Sequence, residues 1–140
     1  MTATPAIAAA VGDQLPVLEV AITREGAVRY AGASTDFNPI HWSDTAARAI
    51  GLDGVIVHGM WTMGTALRVV TDWVGDPGRV VDYFVRFSRP VKVPDTADGV
   101  VVRFSGKVTQ VVEGVATVAL EATCGDDKVL AAAKVEVRVD

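Results

Sequence analysis

The sequence predicts one α+β domain in which an antiparallel sheet wraps around a single long helix. The segment from His58 to Trp73 carries apolar residues at spacings of three and four, which is helical periodicity. The valine-rich segments that follow it, separated by short turns, have the composition of strands. Because the helix is apolar nearly all round, a sheet that covers most of it is the economical arrangement, and a second subunit is expected on the remaining side.

The 140 residues fit one ordinary globular domain, with half of them hydrophobic and a net charge of −4. Basic residues form no stripe that could neutralise a phosphate backbone, which argues against a nucleic acid partner. Cys124 is the only cysteine, as expected for a small buried residue in a reducing cytoplasm. No run is apolar enough to span a bilayer, and the alanine-rich start lacks the basic residues of a signal peptide. We therefore expect a cytoplasmic protein, with residues 1–10 flexible before the domain.

The first third of the chain is expected to hold one strand and two short helices. The strand covers Leu15–Ile22, and Thr23 is a suitable N-cap for a helix that runs to Tyr30. Turn-forming residues from Gly32 to Pro39 argue against regular structure there. The second helix, "TAARAIG", follows a cap at Ser43 or Asp44 and ends at Gly51.

The later elements are one helix and a meander of strands. The expected apolar stripe of the long helix consists of Met60, Met63, Leu67, Val70 and Val74. The turn residues "GDPG" end this helix. Strands are expected at Val80–Phe87, Val100–Val112, Val115–Thr123 and Val129–Val139, with turns at Glu113–Gly114 and Gly125–Asp127.

The run "DFNPIH" is the first candidate for a functional site. Pro39 fixes its own φ and favours an extended Asn38, whose side chain can hydrogen-bond the local backbone. Such a bend can bring Asp36 and His41 onto one cavity, where a carboxylate and an imidazole can share acid–base work near neutral pH. The alternative is a surface turn followed by a histidine that caps a helix.

The run "VIVHGM" is the second candidate. Gly59 falls at the start of the long helix, where free N–H groups and the helix dipole favour negative charge. Glycine also lets a ligand oxygen approach the backbone, so the amide can stabilise a carbonyl oxygen that gains charge. Alternatively, Gly59 only permits a tight turn into the helix, and His58 is an orienting or core histidine.

Other chemistries lack their motifs. Two histidines and one distant cysteine do not form a recognisable zinc set. The sequence contains neither a GxSxG nucleophile elbow nor a GxxxxGK[ST] phosphate loop, and its aspartates lack the spacing of an EF-hand.

Three stretches together resemble the MaoC-like family of hot-dog-fold dehydratases and hydratases: "YAGASTDFNPIHWSDTAARAIG", "GVIVHGMWTMG" and "VGDPGRVVDYFVRFSRPVKVPD". The first contains the family's hydratase motif. Within the family, the chain most resembles the catalytic B subunits of mycobacterial (3R)-hydroxyacyl-ACP dehydratases. The resemblance covers most of the chain and weakens in the first ten residues and after Val100.

The resemblance implies an enzyme that adds water to a 2-enoyl thioester or removes it from a (3R)-hydroxyacyl thioester, as in fatty-acid elongation. Asp36 and His41 would be the catalytic dyad, and the Gly59 amide would contact the thioester carbonyl oxygen. Asn38 and His58 would support the loop or contact the substrate. No metal or redox cofactor is implied, because the thioester and the oxyanion donor acidify the α-proton.

The resemblance also implies partners. The acyl group would be carried by CoA or by acyl carrier protein, and the chain would pair with a second hot-dog subunit, identical or related. Arg86, Arg89 and Lys92 could meet a carrier phosphate or an acidic carrier protein, or be ordinary solvated charges. One departure is Leu67, which stands where some homodimeric members acting on short chains have a hydroxyl residue near the site.

Three other functions remain open at this point. A hot-dog thioesterase would attack the carbonyl carbon, and the Asp-x-Asn-Pro-x-His spacing argues against it. A non-catalytic subunit that only shapes an acyl tunnel has no chemical need for Asp36, His41 and Gly59 together. A module that binds the ligand without turnover would keep binding after loss of His41 and form no product.

Overall fold

The computed structural model describes residues 5–140 of the chain. Its strands and longer helices are, in chain order, β1 (Leu18–Ile22), α1 (Arg24–Ser34), α2 (Asp44–Ala49), α3 (Gly59–Val74), β2 (Val80–Phe87), β3 (Val100–Val112), β4 (Val115–Cys124), β5 (Asp127–Lys128) and β6 (Leu130–Arg138). Single turns of 3₁₀ helix occur at Pro39–His41 and Pro77–Arg79. No helix among these residues is both long and apolar enough to cross a membrane.

The strands form one antiparallel sheet with the order β1-β3-β4-β6-β2, and the short β5 pairs with β4 beside this path. The sheet contacts α3 through β3, β4, β6 and β2. The Tyr83 hydroxyl of β2 donates a 2.7 Å hydrogen bond to the Met63 carbonyl oxygen of α3, and burial raises the pKa of Tyr83. The predicted α+β class, a sheet around one central helix, is confirmed.

The buried face of α3 differs from the predicted stripe. It consists of Thr62, Thr65, Ala66, Val69, Val70 and Val74, whereas Met60 is exposed and Met63 and Leu67 are only partly buried. Small and β-branched residues face the sheet because the backbones approach closely: a Cβ added at Gly106 of β3 would lie 3.1 Å from a methyl carbon of Val69. Since α3 is apolar on most sides, its pattern alone did not fix which side the sheet covers.

Two element boundaries differ from the predicted ones, and two predicted helix caps are confirmed. The ladder of β1 begins at Leu18 rather than Leu15, because Pro16 has no N–H to donate. Helix α1 runs beyond Tyr30 to Ser34. Thr23 caps α1 by accepting from the Gly26 amide, as predicted. The Ser43 hydroxyl caps α2 in the same way by accepting from the Ala46 amide.

The start of the domain is held against the sheet from residue 5 onward. The Ile7 amide donates to the Val139 carbonyl oxygen at 2.7 Å, and Ile7 packs against the core. The buried Arg79 donates to the carbonyl oxygens of Pro5, Arg138 and Asp140. Of the segment 1–10, expected to be flexible, residues 1–4 lie outside the described residues, and the rest makes contacts that the expectation did not include.

Cys124, the last residue of β4, is partly rather than fully buried. Desolvation and the nearby Asp127 carboxylate raise the pKa of its thiol. Cys124 therefore lies at the edge of the core, whereas a buried side chain was expected.

Candidate active site

The loop before the first 3₁₀ turn is held by its own side chains. The Asp36 Oδ1 atom accepts a hydrogen bond from the Asn38 amide at 3.1 Å. Asn38 Oδ1 in turn accepts from the Ile40 amide at 3.3 Å, which caps the turn that Pro39 begins. These two turns fold the loop back on itself, so Asn38 braces it and the second carboxylate oxygen of Asp36 stays available.

His41 presents a free ring nitrogen to this carboxylate. Its Nδ1 lies 2.7 Å from the Ile56 carbonyl oxygen. A carbonyl can only accept, so Nδ1 carries the proton and Nε2 of the neutral ring has a lone pair. That Nε2 lies 3.8 Å from Asp36 Oδ2, beyond direct hydrogen-bond distance. His41 is 7% exposed, whereas the Asp36 side chain is 51% exposed.

His58 lies directly behind this pair and is buried. Its Nε2 donates to the Asp36 carbonyl oxygen at 2.9 Å. Its ring stacks on that of His41, with 3.7 Å between ring centroids and 23° between planes. The Tyr30 ring packs edge-on against the His58 ring, with 4.9 Å between ring centroids.

Gly59 opens α3, and its amide has no hydrogen-bond partner among residues 5–140. An amide at this position is one of the free donors of a helix start. A Cβ added at Gly59 would lie 3.3 Å from the Phe87 ring, so glycine leaves a narrow space between helix and ring. An oxygen atom that enters this space meets a positive helix end.

A half-open cavity of about 270 Å³ adjoins these groups. Its wall consists of His41, Ile56, Val57, Gly59, Thr62, Phe87, Ser88, Arg89, Pro90, Val91 and Val129. The wall is mainly apolar, as an acyl chain requires. Two residues of the expected site, His41 and Gly59, belong to it, while Asp36, Asn38 and His58 lie outside it.

Thr62 is a wall residue that the sequence reasoning missed. It lies three positions after Gly59 and therefore on the same face of α3, a spacing that could have identified it. Leu67, where the resemblance raised the question of a hydroxyl group, packs partly buried against the core and is absent from this wall.

A second, more polar cavity of about 330 Å³ shares Ile56, Arg89 and Pro90 with the first. Lys92 also lines it, together with two carboxylates, and one of these, Asp127, lies 3.5 Å from the Arg89 guanidinium. Arg86 does not line either cavity. The structure thus brings together two of the three basic residues that the sequence singled out.

Asp36, His41 and His58 have ligand atoms within 4.8 Å of one another. His58 Nε2, however, donates a hydrogen bond to the Asp36 carbonyl oxygen, which leaves the Asp36 carboxylate and His41 Nε2 as the ligand atoms that face each other. Two such ligands are fewer than the three or four of usual zinc sites and suit acid–base chemistry better.

Comparison with known proteins identifies a family. Residues 7–124 match the family described as "MaoC like domain". The 3-hydroxyacyl-thioester dehydratase X of Mycobacterium tuberculosis is 39% identical over 82 residues, which cover 59% of this chain and 28% of that protein. The 3-oxo-4,17-pregnadiene-20-carboxyl-CoA hydratase beta subunit of the same organism is 33% identical over 108 residues, covering 77% of this chain and 80% of that protein.

A solved structure of a MaoC-like dehydratase superposes with a TM-score of 0.90 at 38% identity, over 94% of this chain and 41% of that one. The chain thus spans less than half of that protein and of dehydratase X. The match over residues 7–124 and this superposition confirm the hot-dog fold and the family that the sequence motifs indicated. The chain therefore belongs to the MaoC-like family.

Proposed function

We propose that this protein catalyses the reversible hydration of a 2-enoyl thioester to a (3R)-hydroxyacyl thioester, with Asp36 and His41 as the acid–base dyad. The observation that carries the proposal is the 3.8 Å gap between Asp36 Oδ2 and His41 Nε2, beside an apolar cavity. A gap of this size is too long for a direct hydrogen bond and suits one water molecule held by both groups.

In hydration, His41 Nε2 takes a proton from this water as its oxygen bonds to C3 of the enoyl group. The electrons of the double bond move towards the thioester carbonyl, which becomes an enolate. The dyad then returns one proton to C2 on the same face, the enolate collapses, and both side chains regain their starting states. Dehydration is the same sequence in reverse.

The Gly59 amide is proposed to donate to the enolate oxygen. It lies at the start of α3 and in the cavity wall, and it has no other partner among residues 5–140. Removing one such donor typically costs about 10²- to 10³-fold in kcat. The acyl chain would then lie against Val57, Val91 and Val129.

The thioester carrier is proposed to be CoA or acyl carrier protein, as in fatty-acid elongation. The names of the two mycobacterial relatives described above refer to thioester or CoA substrates. Arg89 and Lys92 line the adjoining polar cavity, where they can meet an anionic carrier. The single cysteine fits a reducing compartment, so we place the reaction in the cytoplasm.

A second hot-dog chain, identical or related, is the proposed partner. Strand β2 ends the sheet, so its outer backbone edge has no neighbour among the described strands. Val81, Phe84 and Phe87 of this strand are all about half exposed. A long apolar edge is a ready template for pairing with another chain. One relative is itself named as a beta subunit, which supports the heterodimeric version.

The test is hydration of crotonyl-CoA, followed by loss of enoyl-thioester absorbance. We expect Asp36→Asn and His41→Ala each to lower kcat by at least about 10²-fold, because each removes one half of the acid–base pair. Asp98→Asn, an exposed aspartate in the loop before β3, is the matched control and should keep full activity. Circular dichroism would check that all variants fold.

Near wild-type turnover in either dyad variant would show that the assignment is wrong. Release of free CoA thiol without hydration would instead establish a thioesterase. If folded wild type is inactive on crotonyl-CoA, longer acyl chains, carrier-protein substrates and an added second subunit are the next conditions. Failure in all of these would reject the proposed reaction.

A further inference from the structure

His58 occupies the N-cap position of α3 but does not cap it. Its side chain makes no hydrogen bond to the first amides of the helix. Serine, threonine, aspartate and asparagine are favoured at this position, because their side chains accept a hydrogen bond from one of those amides. Such a side chain would also compete for the amide donors that the proposed function needs. The histidine therefore leaves the helix start open and uses its ring elsewhere.

The His58 ring connects the two members of the dyad from behind. Through Nε2 it donates to the main-chain carbonyl of Asp36 at 2.9 Å, and through its flat face it stacks on His41. It is 2% exposed and is absent from the cavity wall, so it has no direct route to a substrate in that cavity.

The buried Nδ1 atom of His58 has no hydrogen-bond partner among residues 5–140. A buried polar atom without a hydrogen-bond partner has a cost in folding stability. Leucine or phenylalanine would fill a similar volume without this cost. An imidazole differs from those side chains because it has a ring N–H group, which here donates to the Asp36 carbonyl oxygen. A local cost of this kind is typical of functional sites.

We propose that His58 is a positioning residue that sets the geometry of the Asp36–His41 dyad. Its N–H group fixes the main chain at Asp36, and its ring fixes the plane of the His41 ring. Together these contacts maintain the 3.8 Å distance between Asp36 Oδ2 and His41 Nε2. The inference rests on the proposed function, because it gives His58 a role in that reaction. A displacement of about 1 Å in such a site can cost about 10²-fold in rate.

The variants His58→Gln and His58→Asn separate this role from others. The amide nitrogen of glutamine reaches about as far as Nε2 and can donate to the Asp36 carbonyl, whereas that of asparagine lies near the Nδ1 position. We expect His58→Gln to stay within about tenfold of wild-type kcat, and His58→Asn to lose about 10²-fold in kcat with KM nearly unchanged. His41→Ala is measured beside them, and its loss of activity would show that the reaction depends on the proposed dyad.

Equal large losses in both folded variants would overturn the inference and assign His58 to proton transfer. Full activity in both would also overturn it and leave only a packing role. Nitrogen-15 NMR of the wild-type protein shows which ring nitrogen of each histidine carries the proton, and it requires neither turnover nor a folded variant. We expect His58 to carry its proton on Nε2 in the wild type. A proton on Nδ1 would remove the donor to Asp36 and sink the proposal, even if the hydratase reaction stands.

Discussion

At the scale of single residues, two carbonyl oxygens decide what the two histidines can do. The Ile56 carbonyl oxygen accepts a hydrogen bond from the Nδ1–H group of His41, which leaves a lone pair on Nε2. The Asp36 carbonyl oxygen accepts a hydrogen bond from the Nε2–H group of His58, so that nitrogen has no lone pair to offer. The two stacked side chains are of the same type but carry their ring protons on different nitrogens because of their hydrogen-bond partners.

Gly59 gives a prediction at this scale. In Gly59→Ala the added methyl would lie 3.3 Å from the Phe87 ring, which can shift by a few tenths of an ångström, so the fold should survive. The same methyl fills the space through which an oxygen approaches the amide. We expect kcat/KM to fall about tenfold or more, a loss of about 1.4 kcal/mol or more in transition-state binding.

Gly32→Ala is the matched control for that variant. Gly32 is an exposed glycine of α1, and a Cβ there has no neighbour within 4 Å. It should raise the free energy of unfolding by about 0.5–1 kcal/mol without a change in activity. If Gly59→Ala instead unfolds the protein while its substrate kinetics stay normal at low temperature, Gly59 serves packing alone.

At the scale of elements, one ion pair connects the helices to the cavity wall. Arg24 in the first turn of α1 contacts Asp44 in the first turn of α2 at 2.9 Å. Arg24 Nε also donates to the Val93 carbonyl oxygen, and Asp44 Oδ1 accepts from the Val55 amide. Residues 55–57 and 91–93 pair through two backbone hydrogen bonds, and Ile56, Val57 and Val91 of these segments line the cavity. A Cβ on Gly54 would lie 2.9 Å from Asp44, so that glycine makes room for the carboxylate.

Asp44 predicts how stability depends on pH. The hydrogen bond from the Val55 amide and then that from Arg24 hold the pKa of Asp44 below its usual value. The folded state therefore has the lower pKa, so the contribution of Asp44 is present above the unfolded pKa of about 4 and is lost as pH falls through the folded pKa. We expect Asp44→Asn to destabilise the protein clearly at about pH 7 and less at about pH 3, which lies below the unfolded pKa.

Urea unfolding of wild type and Asp44→Asn at the two pH values measures this difference. The comparison cancels the other carboxylates, because both proteins contain them. A difference in unfolding free energy that is the same at both pH values would show that the Asp44 charge contributes nothing.

At the scale of the whole molecule, the ends of the described chain are held together, whereas the β2 edge of the sheet has no neighbour among the described strands. Arg79 fixes the two ends of the described chain to each other through the carbonyl oxygens of Pro5, Arg138 and Asp140. Strand β2, by contrast, leaves an apolar edge next to the cavity, since its last residue, Phe87, lines that cavity. A second chain on this edge would therefore also border the cavity.

Phe84 tests this edge. Phe84→Asp places a charge on a side chain that is 51% exposed and should weaken self-association by at least about tenfold, because an apolar contact at the edge becomes a desolvated charge. Val101→Asp, on β3 beside β1 at the far side of the sheet, is the control and should leave the sedimentation coefficient unchanged. A wild type that sediments as a monomer would contradict self-pairing and leave a different subunit as the partner to test.

The local chemistry of the sequence was enough for most elements and for the family. Thr23 and Ser43 cap their helices because each side-chain oxygen reaches the amide three residues on. The β3–β4 hairpin follows from its turn residues, Glu113 and Gly114, both of which have positive φ. The convergence of Asp36 and His41 likewise follows from a bend encoded within six residues.

Long-range packing decided the rest. The buried face of α3, with Thr62 in the cavity wall, depends on which side the sheet covers, and a helix that is apolar all round does not determine that side itself. The stack of His58 on His41 joins residues far apart along the chain, and the tautomer of each depends on a distant carbonyl. By itself, the sequence determined most of the elements and the family, and it singled out the residues that we propose for the chemistry. Only the tertiary structure decided which atoms of those residues face each other, because contacts between distant segments form only when the sheet closes around the helix.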